Sequence, residues 1–412
     1  MNIVVGQSGG PSVAINATLA GIAIGGIKHP KIDKVYGMLH GIDGLLKENL
    51  VELNRYVDRF EVMARTPAMA LGSCRFKLPP VEQEEIYEKI HAILKKYDIG
   101  AFYYIGGNDS MDTVDKLSKY FKLHNIPIQV IGVPKTIDND LMGSDHTPGF
   151  GSAAKYLCNT MEEIICDSCI YPSQNIVVVE IMGRNSGWLT LAAGMPRFRG
   201  KIMPQIIILP EQPFYEKEFL DKCRKLLERD RTVVVVCSEG IKDEDGQYAG
   251  MATKSGAVDQ FGHAYLSGVG KYLEGLIKKE IGCKVRSIEL NVVQRCSAHL
   301  SSACDLREAA EIGMEAVRAS MDENLTGVMF GFERVSDQPY EVKVIYHSVG
   351  ESANYEKKVP DEWFDTDNVE VQKQIRDYIN PLIKGEVAIR RKPDGSPDYE
   401  ILYRDFYPSK ED

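Results

Sequence analysis

Several absences narrow this 412-residue chain before any motif is read. No apolar run approaches the roughly 20 residues that a membrane-spanning helix needs. The chain opens on MNIVVGQSGG, with neither a basic n-region nor an apolar h-region, so a cytoplasmic protein without a signal peptide is expected. No Lys/Arg block offsets a formal net charge of -10, which argues against nucleic acid as a partner. An anionic small substrate would therefore need locally clustered cations. The nine cysteines include one CxxC spacing, Cys166 and Cys169, but no second pair completes a zinc site, and reduced, buried thiols are expected. There is no internal repeat and no low-complexity linker.

What is present is a repeated pattern of strand, glycine turn and helix, in a chain long enough for two domains. NIVV runs into GQSGGPS and then a helix from about Val13 to Ile24. AFYYI leads to GGNDS, IPIQVIGV to PKTIDND, NIVVVEI to MGRNSG, and QIIILP and TVVVVCSEG continue the series. The strands are short, apolar on both faces and rich in Val and Ile, which suits parallel strands covered by helices on both sides. The pattern predicts an α/β doubly wound architecture, with ligands bound beyond the carboxyl ends of the strands. From about Thr326 the pattern changes. GVMFGFER, YEVKVIYHS and EVAIRRKPDGSPDYEILYRD read as strands, the last around a hairpin-type PDGSPD turn, and TDNVEVQKQIRDYINPLI reads as a helix.

The loops at the strand ends carry the candidate chemistry. Gly9 and Gly10 let backbone approach an anion closely, with Pro11 suited to a first helical turn. A ligand-free tight turn fits the same residues. Gly106-Gly107 repeats the device, yet is followed by Asn108, Asp109 and Ser110, a carboxylate where an anion would bind. In PKTIDND, Asp138 and Asp140 are two apart and would share one side of an extended backbone, one to accept a hydroxyl proton and the other to orient it or face a metal. Lys135 supplies a compact cation nearby. An ordinary Asp/Asn turn has the same composition. Arg184 beside Gly183 could clamp a phosphate in two-pronged fashion, Glu239 ends another strand, and Arg286 and Arg295 could add local cations.

Taken together, GGPSVAINA, LGSCRFK, GGNDS, PKTIDND, EIMGR, SEG and VVQR resemble, in order, the motifs of the phosphofructokinases, over roughly residues 1–310. The resemblance implies two Rossmann-like three-layer α/β/α domains with mostly parallel sheets, plus a C-terminal extension. Residues 1–140, completed by a segment near 250–290, would bind the phosphoryl donor; 141–325 would bind fructose 6-phosphate; 326–412 would be an extension of unknown role. It implies Asp138 as the base for the sugar 1-hydroxyl, with Thr136 and Asp140 in the same loop. Met182, Gly183 and Arg184 would hold the sugar phosphate and the transferring phosphoryl, and Glu239 a sugar hydroxyl. Arg295 and Arg286 would meet the 6-phosphate, Arg286 reaching across from a neighbouring subunit of a homodimer or homotetramer. Gly9, Gly10, Gly107, Ser110 and Lys135 would cradle the donor, and Asn108 and Asp109 would face Mg2+.

Within that family, ATP users typically read GGDGS and PGTIDND. Here Asp109 and Lys135 replace the two glycines, a pair that resembles the pyrophosphate-dependent branch. A carboxylate at 109 fills and repels the space of a nucleotide's α-phosphate, and Lys135 can balance a pyrophosphate leaving group. Three positions depart from the family pattern. Asn108 stands where a metal-binding Asp is usual, Val292 where relatives often have His or Tyr, and Asn175 where many ATP users have Arg, so a longer sugar such as sedoheptulose 7-phosphate is a further candidate substrate. Two rival readings are weaker. A dinucleotide-dependent dehydrogenase would need GxGxxG with an acidic residue about 20 positions on. A non-catalytic regulatory subunit would have no need of Asp138, Lys135 and Arg184.

Overall fold

The structure is a computed structural model that describes residues 1–198, 201–249, 268–353 and 355–403. The first half runs β1 (Asn2–Gln7), α1 (Ile15–Lys28), β2 (Val35–Met38), α2 (Gly41–Leu45), β3 (Leu50–Glu52), α3 (Phe60–Ala64), α4 (Glu85–Lys96), β4 (Ile99–Gly106), α5 (Asn108–Leu123) and β5 (Gln129–Pro134). The second runs α6 (Phe150–Ser168), β6 (Asn175–Ile181), α7 (Trp188–Ala193), β7 (Arg197–Phe198), β8 (Lys201–Ile202), β9 (Ile206–Ile208), α8 (Glu216–Arg229), β10 (Thr232–Ser238), α9 (Val269–Glu280) and β11 (Lys284–Glu289). The chain then passes through α10 (Ala303–Glu323), β12 (Val328–Asp337), β13 (Tyr340–Ser348) and α11 (Val369–Ile379).

Two mostly parallel sheets result. The first has the order β13-β12-β5-β4-β1-β2-β3, antiparallel only at its two ends, and the second has the order β11-β6-β10-β9, parallel throughout. The sequence reason is direct. Every residue of β6 and β10 is buried, so these strands need apolar, β-branched side chains on both faces. Helices that cover a sheet on one side carry a stripe, as in α4, where Tyr87, Ile90, Ile93 and Leu94 are buried. Helix α1 is buried nearly all round because α10 packs across it. A Cβ on Gly21 would stand 2.1 Å from the Ala310 carbonyl oxygen, and one on Gly313 2.4 Å from that of Thr18, so only glycine permits so close a crossing.

The doubly wound α/β expectation holds, and four details change. The segment expected near 250–290 to complete the first unit lies partly outside the described residues. Its described part, α9 and β11, joins the second sheet through β6. The first sheet is completed instead by β12 and β13. Helix α1 begins at Ile15 rather than Val13, with Ser12 Oγ accepting from the Ile15 amide at 3.1 Å, so Pro11 lies in the preceding loop. The EVAIRR…YEILYRD stretch forms no ladder among its described residues beyond a single Arg391–Pro397 bridge. It is held by ion pairs from Arg59 to Asp398 (2.8 Å) and Glu400 (2.6 Å), which neither hydropathy nor turn chemistry announces. The thiols are free as expected, but Cys166 and Cys296 are exposed rather than buried. No helix among the described residues is long and apolar enough to cross a membrane.

Candidate active site

The carboxyl ends of β1, β4, β5, β6 and β10 converge on a cavity of about 660 Å³. Gly9, Gly10, Gly107, Asn108, Asp109, Ser110, Lys135, Thr136, Asp138, Asp140, Met182, Arg184, Glu239 and Arg295 all line it. Motifs dispersed over almost 300 residues thus meet because each follows a strand that ends on the same side of its sheet.

The first glycine loop is held close to the second. Ser8 Oγ and Ser110 Oγ share a short hydrogen bond, and Lys135 Nζ donates to the Gly10 carbonyl at 2.5 Å. Gly9 has φ +78°, and a Cβ there would stand 3.6 Å from Lys135 Nζ. Lys135 is buried at 4 % exposure. That burial pushes its pKa down to about 8 against the pull of Asp138 and Asp140, with Arg295 adding to the depression. Helix α5 starts at Asn108, directly after Gly107, so the GGNDS loop does present a helix N-terminus to the cavity.

Asp138 and Asp140 both face the cavity, though not through an extended backbone. Asn139 between them has φ +56°, and its side chain is spent on structure: Oδ1 accepts from the Thr147 amide at 3.1 Å and Nδ2 donates to Tyr378 at 2.9 Å. Burial raises the pKa of both carboxyls. The neighbouring Glu239 adds to the rise at Asp138 and is opposed by Lys135 and Arg184, while Asp138 and Glu356 add to it at Asp140. A carboxylate raised in this way is a better proton acceptor. Glu239 is itself pushed up to about 7 by burial, against the pull of Arg184.

The MGRNSG loop after β6 is locked to the end of β10. Gly183, φ +124°, donates its amide to Glu239 Oε1 at 3.4 Å, and its carbonyl accepts from Ser238 Oγ at 2.5 Å. Met182 donates its amide to Gln294 Oε1 at 3.1 Å, which ties in the 291–295 turn that carries Arg295. Two buried polar atoms in the cavity wall lack a partner among the described residues: Asn108 Oδ1 and Arg184 Nε. The first is an oxygen able to meet a hard cation, the second a donor able to meet an anion. Asn108 Nδ2 lies 3.3 Å from Asp140 Oδ2, so a carboxylate distant in sequence adjoins the orphaned oxygen.

Arg286 is the predicted residue that stands apart. It lies on β11, 60 % exposed and 3.7 Å from Asp167, and lines a small separate cleft with Asn175 rather than its own chain's cavity. Asn175 spends its amide on Thr232 Oγ1 at 3.1 Å, at the amino end of β6, and so cannot touch a sugar in this chain's cavity. Val292 is 50 % exposed. Sequence reasoning did not nominate Arg75, Asn185, Ser186, Tyr355, Glu356 or Lys358, which also line the cavity. Arg75 had a signal in LGSCRFK, and Asn185 and Ser186 in MGRNSG. The last three come from the C-terminal extension, where no motif marks them. With them the wall carries five cations (Arg75, Lys135, Arg184, Arg295, Lys358) and five carboxylates, so the expected cations do cluster at the site, where they formally balance the acidic groups beside them.

The comparisons with known proteins agree with this geometry. A relative from Xanthomonas campestris named pyrophosphate--fructose 6-phosphate 1-phosphotransferase is 41% identical over 97% of this chain and 96% of its own. One of the same name from Methylococcus capsulatus is 35% identical over 99% and 97%. The crystal structure of a pyrophosphate-dependent phosphofructokinase from Nitrosospira multiformis superposes with a TM-score of 0.86, at 34% identity, covering 97% of this chain and 95% of that one. The phosphofructokinase family model matches residues 2–320, and with near full-length relatives at this identity the chain belongs to the phosphofructokinase family.

Proposed function

We propose that the protein transfers a phosphoryl group reversibly between pyrophosphate and the 1-hydroxyl of fructose 6-phosphate, giving fructose 1,6-bisphosphate and phosphate. The observation that carries this reading is the position of Lys135, buried between the two glycine loops, 2.5 Å from the Gly10 carbonyl and in the same cavity as Asp109 and Asp138. A lysine at that point narrows the donor loop and adds a charge suited to a small, highly charged leaving group. The names of the near full-length relatives support the same donor and acceptor.

In this reading Asp138 takes the proton of the sugar hydroxyl as its oxygen attacks the donor phosphorus. Lys135 and Arg184 balance charge on the transferring group, Arg184 through an Nε donor that has no partner among the described residues. Met182, Gly183, Glu239 and Arg295 hold the sugar phosphate, and Thr136 shapes the substrate loop through its hydroxyl, which accepts from the Asp138 amide at 3.1 Å. Magnesium fits the donor set: the orphaned Asn108 Oδ1, Asp140 beside it and Asp109 in the first turn of α5 offer the oxygen ligands that it favours. When bound, it would neutralise phosphate charge; positioning and proton transfer belong to the residues named. Arg286, turned away from its own cavity, suits a homodimer or homotetramer in which it reaches a neighbouring site. A cytoplasmic location suits this chemistry.

The test is turnover of the purified protein with each donor in both directions. Pyrophosphate is expected to support fructose 6-phosphate phosphorylation, and phosphate the reverse reaction, with ATP giving little. Turnover with ATP and none with pyrophosphate would overturn the donor assignment. Absence of turnover with either would favour the non-catalytic reading.

A further inference from the structure

The residues that follow β13 return across the mouth of the cavity. The backbone of Glu356 bridges Leu141 in antiparallel fashion, and the Lys357 amide donates to the Asp140 carbonyl at 2.7 Å. The opposite side is tied to the loop after β6: Asn185 Nδ2 donates to Glu356 Oε1 at 2.8 Å, and Trp188 Nε1 to the Lys357 carbonyl at 3.1 Å. Glu211 Oε1 accepts from both the Val359 amide (3.2 Å) and the Gly187 amide (2.8 Å). Residues 356–359 thus form a strap fastened to both substrate loops.

Along this strap neighbouring side chains diverge. Glu356 and Lys358 line the cavity, whereas Lys357 points inward, beneath the PKTIDND turn. Its Nζ donates to Asn139 Oδ1 at 3.2 Å, to the Ser144 carbonyl at 3.0 Å and to the Asp145 carbonyl at 2.7 Å, and lies 5.1 Å from the Trp188 ring centroid. All three ammonium donors are used, and all three acceptors belong to the segment that carries Asp138 and Asp140. That segment has reason to be held, because Asn139 occupies the left-handed region at φ +56°.

We propose that Lys357 is a positioning residue for phosphoryl transfer: it holds the 138–145 turn from below, so that the carboxyls of Asp138 and Asp140 stay aimed into the cavity. This rests on the reading of Asp138 as the base. A base displaced by a fraction of an ångström still lets substrates bind but reacts slowly, so the loss belongs in kcat rather than KM.

The experiment compares wild type, Lys357→Met and Asp138→Ala in steady-state kinetics with pyrophosphate and fructose 6-phosphate, after thermal unfolding has checked that each variant is folded. Lys357→Met is expected to lower kcat about 10- to 100-fold with both KM values within about threefold of wild type. A kcat within about twofold of wild type, or a loss expressed wholly in KM, overturns the proposal. If Asp138→Ala is also as active as wild type, the reading of Asp138 as the base has failed; if Asp138→Ala is inactive and Lys357→Met is normal, only the positioning role has failed. Should Lys357→Met not fold, Trp188→Phe removes the indole donor to the strap while keeping a ring beside Lys357. A several-fold drop in kcat at constant KM is then expected, and an unchanged kcat overturns the proposal.

Discussion

At the scale of single residues the site is governed by what burial does to charge. Asp138 sits among Lys135, Arg184, Arg295 and Glu239, and burial is the largest influence on its carboxyl, raising its pKa. In its proposed role as base, a carboxylate so tuned lowers the barrier directly, and Asp138→Ala is expected to lower kcat about 10²- to 10⁴-fold. Initial rates at saturating substrates check this, and an unchanged rate would remove Asp138 from the role. Lys135 and Asp138 were legible in the sequence because a lysine and carboxylates crowded after an apolar strand are unusual. The partner of Asn108 was not. Its neighbour Asp140 lies on the next strand's loop, and only the register of β4 against β5, with Gly106 opposite Pro134, sets the two loops side by side.

At the scale of elements, one buried connection joins the loop that follows β5 to α10 and β12. His146 is held between Asp145 and Glu308, at 2.9 Å on either side, and its ring stacks on Phe332 with centroids 4.8 Å apart. Burial opposes the charge on His146, but its bonds to Asp145 and Glu308 outweigh burial and hold its pKa above the ordinary value. Burial likewise opposes the two carboxylates, and His146 brings both below theirs, with Arg334 assisting at Asp145. A raised histidine stabilises the fold fully below its unfolded pKa of about 6.5 and loses that contribution as pH rises through the raised value. The depressed carboxylates contribute above about pH 4 and lose it as pH falls through their lowered values. The tie is therefore strongest near pH 5 to 6. His146→Gln is expected to cost about 3 to 5 kcal/mol there and less at pH 9. Thermal unfolding of both proteins across that range checks it; a constant difference would mean that the charge on the ring is immaterial. Nothing in the sequence singled out His146, because the partner that ties it to α10, Glu308, lies 162 residues away.

At the scale of the whole molecule the two sheets meet at the site, while Arg286 faces outward on β11 at 60 % exposure. If it serves a neighbouring subunit, two inactive variants should complement each other. Asp138→Ala and Arg286→Ala are each expected to be impaired. After co-expression, mixed dimers would contain one site with Asp138 intact and the partner's arginine intact. Recovery of up to about a quarter of wild-type activity is expected from random pairing in the unfractionated mixture, and up to about half in the purified mixed dimer, since a kinetic loss at one site need not affect the other. No recovery in verified mixed oligomers would return Arg286 to a role within its own chain.

The strand–loop–helix alternation, the parallel sheets and the motif loops at strand ends were already written in the amino-acid order, because these follow from local patterning: apolar runs with β-branched residues, glycine turns and amphipathic helices. That order also determined which charged residues depart from the ATP-type motifs, since that is a matter of residue identity alone. Tertiary structure decided the rest. It assigned β12 and β13 to the first sheet and β11 to the second, turned Arg286 and Asn175 away from the chain's own cavity, and brought Glu356, Lys357 and Lys358 against the loops after β5 and β6. Those placements depend on strand order and long-range hydrogen bonds, which carry no periodicity and no fixed spacing, so the chain shows them only once it is folded.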